Sequence, residues 1–544
     1  MTDELHFLTI AEACALISAR KLSPVEYTDA LLGRIGALDP QLNAFITPTF
    51  ELARSEARRA EAEIMAGDYR GALHGIPLAL KDIYNTKGIR TSGGSRVAMN
   101  NVPTEDATTT RMLHEAGTVL LGKLQTHEFA HGGPSFDLPW PPSRNPWNPE
   151  HVTGGSSSGS GAALAAGLIP ASLGSDTGGS VRNPATFCGI VGLKPTTGLV
   201  SRAGVIPNSF TLDHCGPMAR TVEDCAILLQ AIAGFDAKDP GSVRVDIPDY
   251  RGGLGRGIEG LRIGVLRHYW EEDMPAHPDL RAAMEEAMRV LESLGAKIED
   301  CRTHPLQDSF DTKIIIGESE IYSIHYDNLK TRAGDFGRDF LGRILPACLF
   351  TASDYVQATR EHYRIMAESL PLYDKYDVLL TAGLGPAPRF DAHRTMTFWQ
   401  KRTDMFRPAN LTGAPALVLP CGFSNGLPMG LQLIGRPFDD AGVLRVGHAY
   451  QQATDWHTRH PRVLAGAQQP AVNLTGNEPK AAPDLDAATR DFVLNCAQQA
   501  GLRLDDYQTT ILLEGAPYAL EMAQRIRKAR DRLEPPALSF RVQH

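Results

Sequence analysis

One stretch, Gly154 to Pro195 (GGSSSGSGAALAAGLIPASLGSDTGGSVRNPATFCGIVGLKP), limits what this chain can fold into more than any other. It is rich in Gly and Ser yet carries an apolar run, so it is not a flexible linker. The pattern predicts a Gly/Ser turn, a short helix over Ser160 to Gly167, an apolar strand from Ile169 to Leu173, and a second Gly/Ser turn at Asp176 to Ser180. Ser156 and Ser180 stand in the two turns. Glycines beside a serine let the backbone approach a ligand closely. Successive unhindered N–H groups at such a turn can face a developing negative charge. Ser157 and Asp176 are expected to hold the turns, with Arg182 supporting the loop.

The runs GGSSSGSG, GSDTGGSVRNPA and FCGIVGLKPT resemble the amidase signature family of serine hydrolases. LHGIPLALKD (Leu73 to Asp82) resembles the family's lysine strand, and LTGAPALVLPCGFSNGLPMGLQLIG (Leu411 to Gly435) its C-terminal strands. The likeness covers about residues 5 to 465, with Ser158 standing where many members carry Gly. It implies an α/β fold whose mixed central sheet is covered by helices on both faces. It also implies Ser180 as nucleophile, Ser156 as proton relay in a cis peptide bond after Gly155, and Lys81 as base. The N–H groups of Thr177, Gly178, Gly179 and Ser180 become the expected oxyanion donors. Gly132, Gly133, Ser157 and Arg343 become expected substrate contacts, Arg343 near where family members that bind amino-acid-like amides place a carboxylate-binding Arg. No cofactor and no metal are implied, and homodimerisation is the family's habit. Amide cleavage requires such a set: a nucleophile, a base that returns the proton to the leaving nitrogen, and donors for the oxyanion.

Lys81 tests this reading. After a largely apolar run, spacing alone favours a surface lysine whose stem lies on apolar neighbours. The resemblance requires the opposite, a buried amine whose pKa is lowered by desolvation.

Three other motifs compete. His127-Glu128-Phe129-Ala130-His131 spells H-E-x-x-H, which on a helix would bind zinc. Gly132-Gly133-Pro134 follows at once and stops a helix where the second ligand needs support. Gly155 to Gly159 fits the G-x-S-x-G nucleophile elbow, but the Pro-rich loop Asp137 to His151 precedes it where a strand is required. In that loop, Trp140 and Trp147 could cap a pocket or anchor the loop. Ser18 to Lys21 fits S-x-x-K but lacks the companion motifs.

The net charge of −9 among 544 residues supplies no strong basic field, so nucleic acid is not the expected main ligand, though a local basic patch for tRNA stays open. Eight cysteines without CxxC spacing suit free thiols in a reducing compartment. The first residues lack a basic and an apolar region of the secretory kind, and no apolar run approaches the ~20 residues of a membrane span. A soluble cytoplasmic protein is expected.

The organisation expected is a catalytic domain over 1–465, a Pro/Gly/Asn/Gln linker over 466–484 and a helical appendage over 485–544. In the appendage, a first helical stretch ends at Gly501 and a second is interrupted at Gly515–Pro517. This tail resembles the small helical partner proteins of some amidases and amidotransferases, fused here in one chain. Such a small hairpin buries little apolar surface alone, so it is expected to pack on the body. The expected function is hydrolysis of a small amide, anilide or carbamate. One alternative is a glutamine-dependent amidotransferase A-type subunit. Another, from a different class, is a zinc peptidase.

Overall fold

Short runs buried at every position punctuate the chain, as strands covered by helices on both faces must be. The computed structural model describes residues 5–474, 478–480 and 485–536. The strands are β1 (Phe45–Pro48), β2 (Pro77–Lys81), β3 (Val119–Leu124), β4 (Ala171–Asp176), β5 (Val191–Lys194), β6 (His214–Ala219), β7 (Arg262–Val265), β8 (Lys297–Asp300), β9 (Val378–Ala382), β10 (Ala416–Ser424) and β11 (Leu427–Gly435). They form one mixed sheet in the order β1-β3-β2-β4-β6-β5-β10-β11-β9-β7-β8. β2 runs parallel to β3 and β4, so the C-terminal ends of β2 and β4 lie at one edge of the sheet. Lys81 ends β2 and Asp176 ends β4. That shared edge is where an α/β sheet places a site.

The helices that matter here are α1 (Pro24–Leu42), α2 (Ser158–Ala165), α3 (Arg182–Cys188), α4 (Pro278–Ser293), α5 (Leu306–Arg332), α6 (Arg338–Ile344), α7 (Ala352–Lys375), α8 (Arg407–Leu411), α9 (Ala487–Gln499) and α10 (Asp506–Ile526). Ser23 caps α1, its hydroxyl accepting from the N–H groups of Val25 and Glu26, and Pro24 sits at the first position as the sequence predicts. Gly295, in the left-handed region, follows α4. The central stretch is shifted from its expected bounds. The helix begins at Ser158, and the strand begins only after Pro170, which has no N–H to give a ladder. Ser158 is not among the residues with positive φ, so it fits where many relatives carry Gly.

Two apolar clusters fill the interior. The larger lies around the sheet. The second joins α5 to α7, the Phe398–Trp399 segment and both tail helices. Within it, Leu512, Ala516, Ala519 and Met522 of α10 are fully buried, as is Val493 of α9. Contrary to the sequence expectation, α10 is not interrupted at Gly515–Pro517 but runs through Pro517. Gly515 is required by close approach, since a Cβ there would lie 2.6 Å from Pro346 Cγ. Ion pairs fasten the same helix end: Arg525 to Asp311 (2.7 Å) and Arg527 to Asp354 (2.6 Å). The described parts of 466–484 carry no helix or strand, and residues 537–544 of the expected appendage lie outside the described residues.

No helix among the described residues is long and apolar enough to cross a membrane. The eight cysteines form no disulfide.

The tail packing predicts that Leu512→Ala destabilises by about 2–5 kcal/mol, the usual result of emptying a leucine site. Urea denaturation followed by tryptophan fluorescence would measure it, because Trp399 belongs to the same cluster.

Candidate functional site

The two Gly/Ser turns touch. A Cβ on Gly155 would lie 3.0 Å from Ser180 Cα, and the Ser157 N–H donates to the Ser180 carbonyl (3.3 Å). Only glycine permits that contact, and Gly155 holds a positive φ of 27°. Ser157 ties the first turn to β4, its hydroxyl accepting from the Ser175 N–H (3.2 Å).

Lys81 is fully buried. Its Nζ is hydrogen-bonded to Ser156 Oγ (2.6 Å) and to Ser175 Oγ (2.8 Å). Desolvation lowers its pKa from 10.5 to about 7, partly opposed by the charges of Asp213 and Asp176. The structure therefore sides with the family resemblance against the spacing argument. Ser175 is a partner that sequence reasoning missed.

Asp176 organises the second turn. It accepts from the N–H groups of Gly179 (2.7 Å), Val181 (3.2 Å) and Arg182 (3.4 Å), and pairs with the Arg182 guanidinium (2.8 Å). Burial alone would raise this carboxyl, but Arg182 and the Asn410 amide hold it well below the usual range. Arg182 is fully buried and supports the loop, as expected, through Phe406 O (2.9 Å), Gln432 (2.7 Å) and Asn410 (2.7 Å). Thr177 is fixed by its hydroxyl bond to Asp213 (2.5 Å).

Three expectations change. The Gly179 N–H is already donated to Asp176, so of the four expected oxyanion donors it is engaged. The Gly178 and Ser180 N–H groups make no hydrogen bond among the described residues. No peptide bond among the described residues is cis, so the bond between Gly155 and Ser156 is trans. Ser157 is buried against β4 and does not line the cavity, whereas Gly132, Gly133 and Arg343 do. Trp147 anchors its loop through the Cys188 carbonyl (2.8 Å) and Trp140 stacks with Arg90, and neither lines the cavity.

That cavity, about 340 Å³, holds Ser156 and Ser180 with Thr177, Gly178 and Gly179 at its wall. Arg343 on α6 is paired with Asp339 (3.0 Å), which also takes the His393 ring (2.7 Å). Lys313, Lys401, Asp404 and Arg407 also line the cavity, and no sequence motif pointed to them.

The H-E-x-x-H segment is not the helix zinc would need. Residues Glu128–Ala130 form one 3₁₀ turn, with Phe129 and Ala130 in the left-handed region. His127 Nδ1 bonds the Gly132 carbonyl (2.9 Å), and His131 faces Glu318 (3.1 Å). Glu128 is buried against Ser95 Oγ and the Gly337 N–H. Among the described residues no three His, Cys, Asp or Glu side chains are grouped to share a metal ion.

Comparison with known proteins identifies the family. A family model described as Amidase matches residues 26–444. The chain is 41% identical over 483 residues to the A-type subunit of glutamyl-tRNA(Gln) amidotransferase from Roseiflexus sp. (strain RS-1), covering 84% of this chain and 98% of that protein. Among solved structures, it is 32% identical, with a TM-score of 0.76, to a chain from an unexpected vestigial protein complex that reveals the evolutionary origins of an s-triazine catabolic enzyme. That match covers 84% of this chain and 100% of the other. It is 31% identical to the peptide amidase of Stenotrophomonas maltophilia, with a TM-score of 0.72, covering 84% of this chain and 98% of that one. The family model ends before the helical tail. The chain belongs to the amidase signature family, whose members are enzymes acting on carbon–nitrogen bonds.

Proposed function

We propose that this chain is an amidohydrolase that cleaves the C–N bond of a small amide through a Ser180 acyl-enzyme. The observation that carries the reading is the 2.6 Å bond between the buried Lys81 amine and Ser156 in the cavity that also holds Ser180. A lysine with a pKa of about 7 is largely a neutral amine at slightly alkaline pH and can accept a proton. In this reading Lys81 takes the Ser156 proton while Ser156 takes that of Ser180, and Ser180 Oγ attacks the amide carbon. The N–H groups of Gly178 and Ser180, neither otherwise engaged among the described residues, receive the oxyanion together with Thr177. The relay then returns the proton to the leaving nitrogen, and water releases the acyl group by the same path.

A second reading, a glutamine-dependent amidotransferase A-type subunit, has the names of the curated relatives in its favour, more than the first does. The chemistry at Ser180 is common to both. They differ in whether ammonia leaves to solvent or passes to a partner. What favours the first reading over the second is the tail: α9 and α10 already cover the α5–α7 surface within the same chain. That arrangement supports a protein that works without a separate small helical partner.

Ammonia or amine release from a panel of primary amides, anilides, carbamates and glutamine tests the proposal. Release should survive a chelator and fall by roughly 10⁴-fold or more in Ser180→Ala and in Lys81→Met. Ser175→Ala, which removes only a support of Lys81, should retain a measurable part of the rate. Release lost to chelator but kept in Ser180→Ala would sink the serine mechanism. Glutamine as sole substrate, with a co-purifying partner, would select the second reading.

A further inference from the structure

The described lining of the cavity is rich in cations. Lys313, Arg343, Arg394, Lys401 and Arg407 line it with a single carboxylate among the described residues, Asp404. Arg343 is committed to Asp339, and Arg394 to the backbone carbonyls of Asp391 and His393 (both 2.6 Å). Lys313 and Arg407 are different. Lys313 is buried on α5, with Glu318 4.0 Å away and no hydrogen bond from Nζ among the described residues. Arg407 donates one N–H to the Gly178 carbonyl and meets Asp404 at 3.3 Å, while its buried Nε has no hydrogen-bond partner among the described residues.

Both converge on the oxyanion turn. A Cβ built on Gly178 would lie 1.6 Å from Arg407 Nη1 and 3.1 Å from Lys313 Cε. Glycine at 178 therefore makes room for two cations beside the backbone that faces the reacting carbonyl. A buried ammonium without hydrogen bonds opposes folding. Within the fold, Glu318 is a poor answer to it, since that carboxylate is also shared with His131. An anion brought by a ligand would satisfy the unused donors of both side chains at once.

We propose that the substrate is a short amide carrying a carboxylate, which Lys313 and Arg407 hold beside the Gly178 turn. This rests on the Ser180 hydrolase reading and names its substrate class. A neutral amide of the same size would leave the Lys313 ammonium without a hydrogen-bond acceptor and add no charge to the Arg407 fork, which is how a site built for a charged group rejects its uncharged analogue. The reaction is hydrolysis, in which water adds its oxygen to the acyl carbon, its protons are shared with the products, and ammonia or an amine departs.

The full chain carrying Ser180→Ala would be titrated calorimetrically with malonate, succinate and glutarate. In parallel, the unmutated active-site chain would be assayed on the matching monoamides and the uncharged diamides. At least one dicarboxylate should bind, and its monoamide should exceed the diamide in kcat/KM. Lys313→Met or Arg407→Gln should weaken dicarboxylate binding, and lower the monoamide-to-diamide ratio, by about 10–100-fold, the range of a charge-assisted hydrogen bond. Lys313→Met leaves the buried Glu318 with His131 alone, so thermal melting checks that this variant is folded. If that variant fails to fold, Arg407→Lys, which keeps the charge but loses the fork, should retain an intermediate ratio. Equal turnover of monoamides and diamides, with no dicarboxylate bound, overturns the proposal and leaves the hydrolase reading standing. Dicarboxylate binding that depends on Lys313, with no amide turned over, supports the anion site and removes the hydrolase reading instead.

Discussion

The buried ion pair between Asp176 and Arg182 is the interaction on which the site depends. Two opposite charges removed from water are tolerable only when nearly every remaining lone pair and proton is matched. Here they are: Asp176 gathers three backbone N–H groups and an Asn410 amide proton, and Arg182 reaches Phe406 O, Gln432 and Asn410. The pair thus ties the turn after β4 to α8 and to β11. Gly178 to Ser180 are fixed between these anchors, and the cavity wall inherits its geometry from them. Removing either partner would leave an uncompensated charge at the turn, a change of several kcal/mol by comparison with other buried pairs.

Lys81 makes the complementary use of burial. Asp176 is kept ionised by matched partners, whereas Lys81 has only hydroxyl oxygens within hydrogen-bonding distance and its charges of opposite sign are farther off. The same desolvation that Arg182 offsets for Asp176 is left largely unopposed for Lys81. One edge of the sheet therefore holds a carboxylate far below its ordinary pKa and an amine far below its own. In the proposed chemistry the first is scaffold and the second is the base.

Much of this was legible in the residues. The Gly/Ser turns, the apolar strand ending in Lys81 and the Ser23–Pro24 helix start are local signals, and local signals survive folding. The hidden parts have identifiable reasons. Lys81's burial depends on which strands lie beside β2, and hydrophobic spacing in one segment carries no such information. Pro517 suggested a broken helix because a proline removes one backbone donor. Packing of Gly515 on Pro346 and the fully buried Leu512, Ala516 and Ala519 outweigh that loss. The engagement of the Gly179 N–H followed from Asp176 turning back on its own loop, a contact three residues long that the sequence permits without announcing. Lys313 and Arg407 lie more than ninety positions apart on α5 and α8, so only the fold brings them to Gly178.

The central claim is that Lys81 works as a neutral amine at ordinary pH. The pH dependence of kcat/KM for the best amide tests it most directly, since that profile reports the free enzyme's essential base. The account predicts a single rise with its midpoint near the Lys81 value of about 7, followed by a plateau. A rise with its midpoint near about 10, the ordinary lysine range, would contradict it.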